Sequence, residues 1–277
     1  MPNLYVSLGT LKAEIGKSGT SDDAVLLRML ERASREIDSS PYLDDHRPHF
    51  FSEIDTRLFD GDGTELVVID DLLTASSIKA DADGDGTYEL TLAVDTDYWL
   101  RPDNPRQYEP YTHLELNPAS GVLTRFPVGR RRIQIIGTFG FSAETEPSGT
   151  LGAAVSDTSG TSVTMTAGHG LTGGETIIIG TEQMFVSVVA TNALTVVRGV
   201  NGSTATTHLN GAAAARRRYH RLVEQACVIR ATDIWRGTQT GYGQVATGEL
   251  GGYQSNTSYA QFVGLLREVS RMPVVVI

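Results

Sequence analysis

Residues 216–236 read RRRYHRLVEQACVIRATDIWR. The run has no Pro or Gly and is the most helix-like stretch in the second half of the chain. At 3.6 residues per turn, Tyr219, Leu222, Val223, Ala226, Cys227, Ile229 and Ile234 share one broad apolar arc. Arg217, Arg218, Arg221, Glu224, Gln225 and Arg236 lie opposite, and Gly237 predicts the stop. Arg230 and Asp233 fall inside the arc, spaced so that they can pair or each reach to its edge. An arc this wide predicts neighbours on several sides. The expected fold is therefore α+β, with a helical core around this run, a β-rich middle and a small inserted all-β domain.

The helical partners are expected near the N-terminus. Residues 7–15, SLGTLKAEI, read as a short helix capped by Ser7 or Thr10 and ended by Gly16. Ser21 is the expected cap of a second helix, with Asp22 and Asp23 favouring its first turn. Leu26, Met29, Leu30, Ala33 and Ile37 form its apolar stripe, and Ser40-Pro41 closes it. A last helix is predicted over 257–271, with Tyr259, Phe262, Val263, Leu266 and Val269 on one side.

Residues 41–141 carry short β-branched and aromatic runs broken by Gly, Asp, Asn and Pro. Gly61–Gly63 and Asp83–Gly86 have the composition of hairpin turns, and Asp95–Pro110 that of an irregular loop. After ETEPSG at 144–149 the chain turns Thr-, Val- and Gly-rich and nearly charge-free. The expected organisation is a core domain of 1–147 and 212–277 with an inserted all-β domain at 148–211. A Gly-rich loop occupies 237–256, and a β-forming tail, Met272, Pro273, Val274, Val275, Val276 and Ile277, follows the last helix. That tail can complete a sheet of its own chain or add to a partner's.

The length of 277 residues suits about one to two domains, and the net charge of −10 argues against bulk nucleic-acid binding. A single cysteine, Cys227, excludes an intramolecular disulfide framework and is expected to be an inert core thiol. The N-terminus lacks the features of a signal peptide, no run approaches the ~20 apolar residues of a bilayer span, and a reducing cytoplasm is the expected compartment.

Chemistry-bearing patterns are weak. Asp81, Asp83, Asp85 and Gly86 open like a calcium loop, but Leu92 stands where the bidentate Glu belongs, so a polar hairpin turn is expected. Gly16-Lys17-Ser18 lacks the first Gly of a phosphate loop, that position being Leu11. His46 and His49 have no further paired ligands. No metal, cofactor or catalytic constellation is expected, and the chain reads as a non-enzyme. Two basic clusters remain: Arg130, Arg131 and Arg132 at a strand start, and Arg216, Arg217 and Arg218 at the predicted helix start. Arg is unfavourable at a helix N-terminus, so these clusters are either solvated basic faces or contacts to an acidic partner or phosphate.

In order, residues 7–16 (SLGTLKAEIG), 21–38 (SDDAVLLRMLERASREID), 56–90 (TRLFDGDGTELVVIDDLLTASSIKADADGDGTYEL), 126–141 (FPVGRRRIQIIGTFGF) and the helix ending in IWRG resemble the head-to-tail connector (adaptor) family of tailed bacteriophages and gene transfer agents. The resemblance covers roughly 4–141 and 216–271. Residues 151–211 depart from it, and the run HGLTGGETIIIG…THLNGA at 169–212 is similar to a small β module that recurs in phage structural proteins. The resemblance implies a closed homo-oligomeric ring, often of about twelve copies, made in the host bacterial cytoplasm and placed in the virion neck below the portal. There it extends the channel for genomic double-stranded DNA, without sequence-specific binding or a membrane, and seats the next neck or tail protein. It further implies that 272–277 docks on the portal, and it leaves both Arg clusters as candidate channel or acidic-partner contacts. The competing expectations are a β-module that recognises a glycan or cell surface, and a hydrolase built on Asp81–Asp85 or His46–His49. Phe185 is the one aromatic of the insert, which weighs against sugar stacking.

Overall fold

The computed structural model describes residues 3–41, 43, 49–105, 109–239 and 257–269. Among the described residues, four helices and two antiparallel sheets make a mixed α+β fold. It divides into two compact units, one of 1–44 with 145–277 and the other of 45–144.

In the first unit, α1 (Leu8–Glu14), α2 (Asp23–Asp38), α3 (Arg221–Gln239) and α4 (Thr257–Val269) pack together. Ser7 caps α1, its hydroxyl accepting the Thr10 N–H at 3.2 Å. The expected stripe of α2 is buried throughout: Leu26, Met29, Leu30, Ala33 and Ile37. Its N-cap is Asp22 rather than Ser21, and it makes no side-chain capping bond. α3 begins five residues later than the sequence suggested, after His220, whose carbonyl accepts the Val223 and Glu224 N–H groups. It runs past Gly237 to Gln239. Val223, Ala226, Cys227, Ala231, Thr232 and Ile234 form its buried face. Arg230 pairs with Glu36 of α2 rather than with Asp233. An interhelical carboxylate was nearer to its guanidinium than the one on its own helix. On α4, Phe262, Val263, Leu266 and Val269 are buried, while Tyr259 stays exposed.

The same unit holds a six-stranded sheet: β7 (Thr145–Thr150), β8 (Ser162–Thr164), β9 (Thr176–Ile179), β10 (Glu182–Ala190), β11 (Ala193–Val197) and β12 (Ala213–Arg217), in the order β7-β12-β9-β10-β11-β8. The outer strands of this path meet. Leu151 bridges Met165, Thr166 N–H donates to the Thr150 carbonyl at 2.9 Å, and Gly152 N–H donates to the Thr164 carbonyl at 2.8 Å. The sheet thus closes into a small barrel and leaves no long edge to pair elsewhere. Leu151, Val163, Met165, Ile177, Ile179, Met184, Val186, Leu194 and Val196 fill it.

The sequence-based boundary at 148 cuts through β7 and the one at 211 leaves out β12, although β7 and β12 pair with each other and belong to the barrel. The barrel also joins the helices. Leu8 N–H donates to the Gly173 carbonyl at 2.9 Å, Gly9 N–H to the Thr172 hydroxyl at 3.1 Å, and the side-chain amides of Asn3 and Asn201 bond reciprocally. These bonds put the barrel in one unit with the helices, and it is the β-rich middle that forms a unit of its own.

That second unit is an open sheet of β1 (Glu53–Gly61), β2 (Leu66–Ala80), β3 (Leu90–Leu92), β4 (Tyr98–Arg101), β5 (Tyr111–Leu116) and β6 (Gly129–Phe139), ordered β1-β6-β2-β5-β4 with β3 on β2. Where short separate runs were expected, Leu66–Ala80 forms the single long β2. β4 lies within the stretch read as irregular. The 61–63 turn links β1 to β2, yet β6 stands between them, so this is not a hairpin. The 81–89 connection is one, since β2 and β3 pair from Ala80 and Leu90. Val67, Ile69, Leu72, Ile78, Leu114, Leu116, Phe126, Ile133, Ile135 and Phe139 form the core.

Candidate functional site

The first basic cluster sits at the start of β6. Phe59 of β1 faces Ile133 and Gly61 faces Gly129, so Asp60 alone stands opposite Arg130, Arg131 and Arg132. The extra residues form a bulge, a device that re-aims side chains. Arg131 lies in the left-handed region at φ 55, where a non-glycine residue costs about 1–3 kcal/mol. The surroundings hold it there: Asp60 Oδ1 accepts the Arg131 N–H at 2.8 Å, and the Tyr88 hydroxyl donates to the Arg131 carbonyl at 2.8 Å.

The three arginines diverge. Arg132 folds back, its Nε donating to the Val128 carbonyl at 3.1 Å and its Nη1 lying 3.3 Å from Asp81. Arg130 and Arg131 are exposed and make no ion pair among the described residues. With Leu58, Gly84, Gly86 and Tyr88 they line a shallow depression of about 390 Å³.

The acidic turn below this depression is a hairpin wired by its own residues. Asp81 is buried and accepts the Gly84 N–H at 2.6 Å and the Gly86 N–H at 3.1 Å. Burial opposes its ionisation. Those two N–H groups and Arg132 outweigh burial and hold its carboxyl below the ordinary range. Asp83 and Glu89 bring carboxylate oxygens within 4.8 Å of it. Arg132 already supplies the positive charge, and Leu92, at the calcium-loop ligand position, is buried in the sheet core.

The second cluster corrects the sequence expectation. Arg216 and Arg217 end strand β12, and Arg218 lies between that strand and α3, so none opens a helix. Pairing to β7 and to Ile177–Ile179 of β9 imposes the extended form on an Ala-Arg run that is helix-forming by itself. The group in the first turn of α3 is Glu224, which suits the helix dipole. Arg216 reaches Glu175 at 3.1 Å, and Arg218 reaches Glu224 at 3.3 Å; both also approach Glu146. Burial draws the Arg217 pKa down. Arg216 and Arg218 thus find acidic partners inside their own chain.

A buried ionic cluster that the sequence reading missed lies in the barrel wall. Glu182 is fully buried. Arg198 grips it through Nε at 2.6 Å and Nη2 at 2.8 Å, and His208 Nε2 lies at 2.8 Å. The N–H groups of Thr206 at 2.9 Å and Gly199 at 3.2 Å complete its shell. Burial pushes the Glu182 pKa up, but the hydrogen bonds from Arg198, Thr206 and His208 win and bring it down to about 2. Glu182 and Arg198 are rare charges in a nearly neutral stretch, and that rarity was the available signal.

His49 spends both ring nitrogens locally, on the Phe51 carbonyl at 2.8 Å and on Glu53 at 2.9 Å. His46, the Gly-rich residues from 240 to 256 and the tail Met272–Ile277 lie outside the described residues. Cys227 is fully buried beside the Ser34 hydroxyl, and burial pushes its thiol up to about 12. A thiol reagent at mildly alkaline pH is therefore expected to leave the folded protein unmodified and to label one site after denaturation. Labelling of the folded chain at the rate of a free thiol would contradict this.

No helix among the described residues is long and apolar enough to cross a membrane. No family model, curated protein or solved structure matches the chain.

Proposed function

We propose that this chain is a structural head-to-tail connector of a tailed phage or a related particle, a non-catalytic ring protein below the portal. The observation that carries the reading is the meeting of the helices on which the resemblance rests. α1, α2 and α3 pack against one another, although α3 is far from the other two in sequence. Cys227 of α3 meets Ser34 of α2 at 3.6 Å, Arg230 pairs with Glu36, and Lys12 of α1 reaches Asp23 of α2 at 2.6 Å. A helical framework of this kind gives a ring subunit a rigid body, and the barrel is built onto that body. In this reading residues 272–277 dock on the portal by strand addition, and DNA passes through the ring without sequence-specific contact. Negative-stain images of the purified full chain test the proposal. Closed rings with a central hole are expected, and isolated compact particles at every concentration would overturn it.

A further inference from the structure

Neighbours in a cyclic ring meet through two different surfaces of the same chain. Copies that each carry a net charge of −10 repel one another unless opposite charges meet there. The Arg130–Arg131 bulge is suited to that task. Its two guanidiniums are exposed and have no ion pair among the described residues, whereas Arg132, Arg216 and Arg218 are all paired within the chain. The chain holds Arg131 in a strained left-handed conformation with two dedicated hydrogen bonds, from Tyr88 and to Asp60. Half-buried Leu58 and Tyr88 line the depression beside them.

We infer that the Arg130–Arg131 bulge is a subunit contact that takes a carboxylate-bearing surface of a second copy of this chain. The inference rests on the ring reading above. Arg130 and Arg131 both line the depression, and a guanidinium binds a carboxylate through charge-assisted, paired hydrogen bonds. The chain offers the complement: Glu14 and Glu65 are exposed carboxylates without an ion pair among the described residues. DNA is a poorer fit. The exposed Asp83, Asp85 and Glu89 lie on the turn that borders the depression. They repel a polymer with a charge every ~1.7 Å, while a surface with isolated carboxylates can be seated clear of them.

The test compares the full wild-type chain with an Arg130→Glu/Arg131→Glu variant by light scattering over a concentration series at low and high salt. An Arg130→Lys/Arg131→Lys variant serves as the charge-conserving control, and circular dichroism and melting temperature report the fold. Expected are assembly of the wild type that weakens with salt, a rise of about tenfold or more in the concentration the Glu variant needs to assemble, and partial retention by the Lys variant. Equal assembly of the wild type and a folded Glu variant overturns the contact while leaving the ring reading intact. A wild type that never assembles overturns the ring reading and the contact together. Retardation of short duplex DNA by the wild type but not the Glu variant, with assembly unchanged, reassigns the bulge to DNA and also overturns the proposal.

Discussion

Glu182→Ala is expected to destabilise the barrel by about 3–5 kcal/mol, because it strands Arg198 and His208 beside a buried site without their carboxylate. The magnitude follows from burial: the Glu182 and Arg198 side chains are 0% and 5% exposed, so solvent screens little of the loss. Five bonds tie Arg198, Gly199, Thr206 and His208 to the two oxygens of this one carboxylate. Losing it removes several contacts at once rather than a single one.

The same residue sets an acid limit. Its folded pKa of about 2 lies below the ordinary 4.5, so its contribution is complete above pH 4.5 and is lost as pH falls toward 2. A displacement of that size corresponds to about 3 kcal/mol. Calorimetric melting across this acid window should show a steep fall for the wild type and a shallower one for Glu182→Gln. Parallel curves for the two proteins would refute the assignment.

Gly140→Ala should be nearly as damaging, and in the other unit. Gly140 follows β6 at φ 135, a region closed to side-chain-bearing residues. A Cβ there would lie 2.1 Å from the Phe51 carbonyl oxygen and 2.8 Å from the Ser52 Cα, both backbone atoms that cannot swing aside. Backbone strain of about 1–3 kcal/mol adds to overpacking of about 1–3 kcal/mol. The expected result is a loss of several kcal/mol in chemical denaturation. A change below about 0.5 kcal/mol, the scale of a neutral surface substitution, would contradict the geometry.

The parts of the fold that were legible depend on neighbours close in sequence. Ser7 caps α1, and the α2 stripe is buried at every expected position, because caps and helical periodicity are local. β12 was not legible: Ala213–Arg217 has no β-branched residue, and its strand form comes from β7 and β9 on either side. The same cause misplaced the start of α3 and put Arg216–Arg218 at a helix start instead of at and just after the end of β12. Barrel closure rests on Leu151 meeting Met165, a contact no periodicity announces. At the candidate site the sequence marked Arg130–Arg132 as a block. Only the bulge opposite Asp60 separates the paired Arg132 from the exposed Arg130 and Arg131.

The most direct test of the central claim is the solution mass of the full chain by light scattering, taken over a range of concentrations. A closed ring predicts one dominant species at a fixed high multiple of 29.9 kDa, unchanged on dilution until it dissociates as a unit. A mass of 29.9 kDa at every concentration would contradict the connector account.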